Sequence, residues 1–227
     1  MTTISRSLTG VAPLTGFTLR RERVRIVVWI ASIVLAVLAT VGSVKGLYPM
    51  QSDLDAAARA SQDNAAAIVF NGPPQALDTV GGQIAFQTGT YGLILMGLMS
   101  MFMLGRTTRG EEEAGRAELV RSLPIGRHAL PASALATVSA MNVVTGALVI
   151  LCLLGLGLPA TGSVVFGLSF TLFGLLFAAC TLLVAQVTEN TRVVYGIGGL
   201  LLGAAFLLRA IGDVGDGTVF SDRKSVV

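Results

Sequence analysis

The sequence predicts an all-α polytopic membrane protein with about five transmembrane helices and a cytoplasmic N-terminus. Three observations lead there. Charged residues make up 13% of the 227 positions and hydrophobic ones 53%, against roughly 25% charged in soluble domains. The charges gather in a few short clusters between apolar runs long enough to cross a bilayer. The basic residues, finally, concentrate in alternate connections between those runs.

An ionised side chain at the centre of a bilayer helix costs about 2.5–3.5 kcal/mol on insertion scales, so spans are read from charge to charge. Between Arg25 and Lys45, residues 26–44 carry no charge, and as a helix they nearly match the roughly 30 Å hydrocarbon core. Asp78 and Arg106 bracket a second run, polar at its start and rich in Leu and Met at its end, with a span near 82–105. From Ala129 to Thr188 no residue is charged, too long for one crossing. Gly155, Gly157, Pro159, Gly162 and Ser163 punctuate its middle, which predicts spans near 132–156 and 163–187 joined by a very short loop. A fifth span near 193–211 is short unless Arg209 snorkels to the interface.

With the N-terminus inside, the cytoplasmic segments hold Arg6, Arg20, Arg21, Arg23, Arg25, Arg106, Arg109, Arg116, Arg121, Arg127 and Arg192, eleven of the sixteen basic residues. This is the positive-inside bias of a membrane protein. Residues 1–25 form a cytoplasmic N-terminal segment in which Leu14, Phe17 and Leu19 precede a basic cluster, an amphipathic helix expected to lie along the inner membrane surface. Residues 26–211 form the transmembrane domain and residues 212–227 a short tail. In the outer connection 45–78, Ser52 is expected to cap a helix running through an Ala-rich stretch to Gly72, before Pro73 and Pro74.

The densest chemistry lies between the second and third spans. Glu111, Glu112 and Glu113 crowd the start of a predicted helix, 109–124, where the helix dipole favours anions, and Arg116 and Arg121 follow. Glu112 and Arg116 are four apart in the favourable order, and Pro124 ends the helix. Two interpretations stand: a cytoplasmic docking element, or a solvated loop laced with weak ion pairs. At the outer end of the second span, Gln83, Gln87, Thr88, Thr90 and Tyr91 form the most polar group at a membrane mouth. They either line a pathway or simply mark an interfacial helix end.

Enzyme chemistry has no foothold in the chain. The Gly-rich phosphate loop ending in Gly-Lys-Ser/Thr is missing, as is the zinc-binding His-Glu-x-x-His. His128, the sole histidine, follows a basic loop and reads as an interfacial residue. Cys152 and Cys180 sit in apolar runs and indicate no disulfide framework. The spacings Gly42 with Gly46 and Gly199 with Gly203 fit close helix packing.

Several segments then resemble one family. Arg20-Arg-Glu-Arg before the first span, Leu47-Tyr-Pro after it, the run Arg106-Thr-Thr-Arg-Gly-Glu-Glu-Glu-Ala-Gly-Arg-Ala-Glu-Leu-Val-Arg, Gln186-Val-Thr-Glu-Asn, and Leu207-Leu-Arg-Ala-Ile-Gly-Asp resemble the ABC-2 type exporter permeases, in the group labelled polyketide antibiotic or multidrug exporters. The resemblance implies a transmembrane permease subunit in the bacterial plasma membrane that binds no cofactor itself. ATP would be bound and hydrolysed by separate ABC ATPase subunits docked from the cytoplasm. The charged helix would then be the coupling helix, with Glu111, Glu112, Glu113, Gly115, Arg116, Glu118 and Arg121 in the family's charged motif and Glu189 in the second inner loop. Hydrophobic drugs or antibiotic-like metabolites would be the cargo.

Similar permeases are about twice as long, with two six-helix halves, so the chain is expected to correspond to a truncated N-terminal half. Its implied partners are the ATPase, a second permease half or a homodimer partner, and membrane lipid, with no nucleic acid. A non-transporting assembly or scaffold protein, or a permease fragment inactive alone, is the alternative. The proton relay of a secondary transporter, a buried Asp, Glu or His within a span, is absent from the sequence.

Overall fold

The computed structural model describes residues 8–62, 64–113, 126 and 128–215. Among the described residues the chain is helical, with no strand. Helix α1, Val11–Arg21, leads into α2, Arg23–Leu47. Two short helices, α3 (Gln51–Gln62) and α4 (Ala65–Asn71), connect α2 to α5, Val80–Thr107, which a turn at Thr108 extends into α6, Arg109–Glu113. Then come α7 (Ala129–Gly155), α8 (Ala160–Val187) and α9 (Thr191–Gly215). Five of them, α2, α5, α7, α8 and α9, are long and apolar enough to cross a membrane. The protein is therefore an all-α, multi-pass membrane protein.

Helix α5 is the centre of the bundle, touching α2, α7, α8 and α9. Met96, Met99, Met103 and Leu104 are buried along it beside Phe170 of α8 and Val138 and Met141 of α7. Flexible thioethers fill an irregular space between four neighbours better than branched side chains do. By contrast, α2 and α9 are peripheral and leave Val27, Val28, Leu200, Leu207 and Leu208 exposed, as bilayer-facing surfaces require.

Local chemistry sets the helix ends. The Thr79 hydroxyl caps α5, accepting from the Gly82 N–H at 3.0 Å. Helix α7 stops in a Schellman motif: Leu158 N–H donates to Leu153 O at 3.1 Å and Gly157 N–H to Leu154 O at 3.0 Å, with Gly157 left-handed at φ 79°. Pro159 follows at the N-cap of α8. This is the tight connection that the Gly and Pro cluster predicts. The Lys45 ammonium at the end of α2 donates to Leu156 O at 2.7 Å, placing a cation on the C-terminus of α7.

Several of the closest contacts between spanning helices run through glycine. A Cβ on Gly146 would stand 1.9 Å from Thr171 Oγ1 and 2.7 Å from Gly167 O, so α7 and α8 pack backbone against backbone. Gly174 leaves room for the Asn142 amide, which a Cβ would meet at 1.8 Å. That amide, buried in α7, donates to Ser100 Oγ of α5 at 2.9 Å and to Val138 O at 2.9 Å. One polar side chain thus joins the three most closely packed helices in a region with no water to compete for its bonds.

Two expectations need correction. Gly42, Gly46, Gly199 and Gly203 are not at these contacts, since a Cβ on any of them would meet nothing within 4 Å. Glycine spacing marks a face able to pack closely, but here those faces look away from the bundle. The outer helix is two helices, and Ser52 lies inside α3 instead of capping it. Asp53 serves that end, its carboxylate accepting from the Met50 N–H at 3.1 Å, while Asn64 starts α4 by accepting from the Ala67 N–H.

Substituting Gly146→Val should overpack the α7–α8 contact and destabilise the protein by about 1–3 kcal/mol or prevent folding. Gly199→Ala should change stability by less than about 0.5 kcal/mol. Thermal unfolding in detergent checks both, and equal losses at the two positions would refute the assigned contact.

Candidate functional site: the charged end of the bundle

Three of the basic residues that the positive-inside rule assigns to the cytoplasm, Arg21, Arg25 and Arg106, come together at one end of the bundle around a single carboxylate. Glu22 occupies the turn between α1 and α2, where it is the N-cap residue of α2 and its charge complements the positive end of the helix dipole. It is 2% exposed. Its Oε2 accepts from Arg25 Nη1 at 2.5 Å and from Arg106 Nε at 3.3 Å, and Arg21 Nε stands 3.4 Å from Oε1. Since Arg21 ends α1 and Arg106 lies in the last turn of α5, the carboxylate joins three helices. Burial pushes the Glu22 carboxyl up, but the Arg25 hydrogen bond and the charges of Arg106, Arg25 and Arg21 outweigh it and hold the group below the ordinary carboxylate value.

The glutamates of α6 extend this network. The Arg21 guanidinium forks onto Glu111, Nη1 donating to Oε2 at 2.8 Å and Nη2 to Oε1 at 2.9 Å, a bidentate geometry that fixes orientation as well as distance. Glu112 pairs with Arg109, whose Nε donates to Ala185 O in the last turn of α8 at 2.5 Å. Glu113 Oε1 accepts from the Thr191 N–H, the first residue of α9, at 2.6 Å. Five helix residues therefore attach to α1, α8 and α9 while continuing α5. An anion at the start of α9 and a cation at the end of α8 each match the local dipole.

The first three residues of the predicted coupling motif are thus brought together, Glu111 and Glu113 bonded to neighbouring helices and Glu112 to Arg109 of its own helix. Gly115, Arg116, Glu118 and Arg121, with the rest of the predicted helix beyond Glu113, lie outside the described residues. Glu189 is exposed in the connection between α8 and α9. Its neighbour Asn190 shapes that connection, accepting from the Arg192 N–H at 2.8 Å and donating its own N–H to Thr188 Oγ1 at 3.3 Å. Sequence reasoning missed Glu22, Arg25 and Arg109 as members of the network. A lone acid among four arginines, Arg20-Arg-Glu-Arg-Val-Arg, was the available signal for Glu22. No local pattern announces that Arg109 reaches a carbonyl of α8.

At the opposite end, the five polar residues of α5 have separate tasks. Gln83 is buried and donates to Leu77 O at 2.9 Å. Gln87 donates to Gln83 Oε1 at 3.4 Å. The Thr90 hydroxyl donates to Asn71 O at 2.9 Å, holding the end of α4. Thr88 is buried, with no partner for its hydroxyl among the described residues, and Tyr91 is 48% exposed. Of the five, Thr90 alone lines the cavity of about 210 Å³ between α5, α8 and α9. Arg209 lines it too. Its guanidinium does not simply reach for the interface but donates to Val69 O of α4 at 2.7 Å and pairs with Asp213 at 2.8 Å.

Helix count, apolar surfaces and a charged end define a multi-pass helical membrane protein whose ionic network connects the ends of its spans. In sequence the chain is 36% identical over 214 residues to the multidrug efflux system permease protein Rv1217c of Mycobacterium tuberculosis. The match covers 93% of this chain and 38% of that relative, so the chain spans less than half the relative's length. No protein-family model matches the chain.

Two measurements test the network. Arg21→Glu and Glu111→Arg should each lower the unfolding midpoint, and the double reversal should recover part of the loss, with a coupling of about 1 kcal/mol. Strictly additive losses would refute the fork. Glu22→Gln should cost about 1–2 kcal/mol near neutral pH, less than a fully buried pair because Arg25 and Arg106 remain half-exposed and can rehydrate. A carboxyl depressed in the folded state stabilises above its unfolded value, about 4.3, and loses that contribution as pH falls through the folded value. The deficit of Glu22→Gln should therefore be full at pH 6–7 and fade in acid, as the pH falls below the unfolded value and through the lower folded one. A pH-independent deficit would show that Glu22 acts by packing.

Proposed function

We propose that the chain is the transmembrane permease subunit of an ATP-driven exporter of the ABC-2 type, residing in a bacterial plasma membrane. Its cargo would be hydrophobic drugs or antibiotic-like metabolites, with ATP bound and hydrolysed on separate ABC ATPase subunits. The observation that carries this reading is the similarity to a multidrug efflux system permease along 93% of the chain. The five apolar helices and the charged first inner loop support it.

In this reading, residues 109–124 form the coupling helix. Displacement of that segment by an ATPase would pull on α1 through Glu111, on α8 through Arg109 and on α9 through Glu113. The ends of the spans would then move together, because each attachment is a charge-assisted bond with little slack. Arg116, Glu118 and Arg121, with Glu189 in the second inner loop, would face the ATPase. A second permease half, or a second copy of the chain, would complete a two-sided pathway.

The test is export of a fluorescent lipophilic dye from cells lacking other efflux pumps, expressing the chain with its second permease half and a partner ATPase. Export should require a hydrolysis-competent ATPase, which should co-purify with the permease. Arg116→Glu should reduce export by at least about tenfold without reducing the amount of permease in the membrane. Undiminished export with an ATPase unable to hydrolyse ATP would overturn the proposal.

A further inference from the structure

The sequence reads Leu14, Phe17 and Leu19 together as the apolar side by which α1 lies on the membrane, and the structure divides them. Helix α1 packs against α7, and the Gly126 N–H, just before α7, donates to Thr9 O at 2.9 Å. Leu14 and Leu19 are half-buried on the side turned to the bundle, whereas Pro13, Gly16, Phe17 and Arg20 are exposed on the other. Of the three apolar residues, Phe17 alone, 59% exposed, is left for a bilayer. Membrane binding by an interfacial helix grows with the apolar area it buries and with its attraction to anionic lipid. One ring supplies little of the first, so the second has to carry the contact.

Charge in the turn from α1 to α2 is sorted by depth. Glu22 is buried and answers Arg21, Arg25 and Arg106, and Glu111 answers Arg21 again. Arg20 and Arg23, which flank Arg21 and Glu22 in the chain, are exposed and meet no acid among the described residues. Arg23 also opens α2, where the positive end of the helix dipole repels a cation. Neither charge is compensated within the fold. The Arg21 guanidinium, fixed by its fork onto Glu111, stands 5.6 Å from the centre of the Phe17 ring and holds that ring near the two free arginines.

We propose that the exposed side of α1 and the turn into α2 dock on the anionic lipid of the inner leaflet, Arg20 and Arg23 pairing with headgroup phosphates while the Phe17 ring enters the acyl boundary. The turn immediately precedes the apolar run of α2 and so lies at headgroup level. The positive-inside bias turns it toward the leaflet that carries anionic lipid. A guanidinium meets a phosphate with the same fork that it offers a carboxylate. Docked there, α1 gives Arg21 a fixed base from which to hold Glu111. The assignment depends on the chain being a membrane protein and not on what it transports.

Hydrogen–deuterium exchange of the chain in nanodiscs without any ATPase tests it, comparing phosphatidylcholine alone with phosphatidylcholine plus phosphatidylglycerol. The α1 amides should exchange at least about fivefold more slowly with phosphatidylglycerol, since one basic residue at an anionic surface is worth about fivefold in affinity. Raising salt to about 0.5 M should remove the difference. The double variant Arg20→Gln, Arg23→Gln should abolish it while matching wild type in phosphatidylcholine and in unfolding midpoint. Arg192→Gln, which removes an exposed arginine at the same end, should keep it. Equal α1 exchange in the two lipids would overturn the proposal, and equal slowing in both that is lost in Phe17→Ser would show an apolar contact in its place. A lipid difference that survives the double substitution would also overturn it, and, if that variant no longer retained a partner ATPase, would assign the two arginines to the protein partner.

Discussion

Backbone contact between α7 and α8 is the constraint on which the rest of the bundle rests. In a bilayer, side-chain hydrophobicity does not drive helices together, because lipid tails are as apolar as leucine. What remains is van der Waals contact at short range and bonds between polar groups. Gly146 and Gly167 bring the two backbones so close that neither position tolerates a Cβ without movement. Asn142, admitted by Gly174, then reaches Ser100 and fixes the height of α5 against the pair. With these three helices set, α2 and α9 pack on the outside and keep their lipid-facing leucines and valines.

The two ends of the bundle use charge differently. At the basic end, Glu22 collects three arginines from α1, α2 and α5, and the short α6 reaches α1 through Glu111 and α9 through Glu113. These groups are interconnected around the buried Glu22, so a displacement of one attachment is felt by several spans. At the opposite end, charge is used singly to close loops. Lys45 sits on the carbonyl end of α7, and Arg209 fastens α4 above the bundle. These are single bonds, one between the ends of α2 and α7 and one from α9 to the outer connection, and not a shared network.

This difference bears on the proposed role. Coupling to a motor requires an end that moves as a unit and a pathway end that can open independently. The glutamate run, which in the sequence reads as a docking motif, has an additional intramolecular task, since Glu111 and Glu113 contact α1 and α9 within the same chain. The polar cluster on α5 also changes meaning. Gln83 and Thr90 hold backbone carbonyls of the outer connection, and Thr90 is the member that also borders a cavity.

Much was legible in the sequence because bilayer physics is severe. A charge-free run of about twenty residues has few alternatives to a spanning helix, and clustered arginines have few alternatives to one side of the membrane. The α7–α8 turn was legible for a similar reason, since Gly157 and Pro159 restrict the backbone locally. Partners across space were not legible. Which glycines meet a neighbour depends on how each helix is rotated, and sequence spacing is the same for Gly199 with Gly203, which face outward, as for any packed pair. Arg109, Asn142 and Arg209 took their roles from carbonyls and amides brought near by the fold. The sequence by itself determined how many helices are apolar enough to span a bilayer and where charge is allowed, because both follow from the cost of placing each residue in lipid. The tertiary structure alone decided which polar groups meet, because a bond between distant residues exists once helix rotation and depth are set.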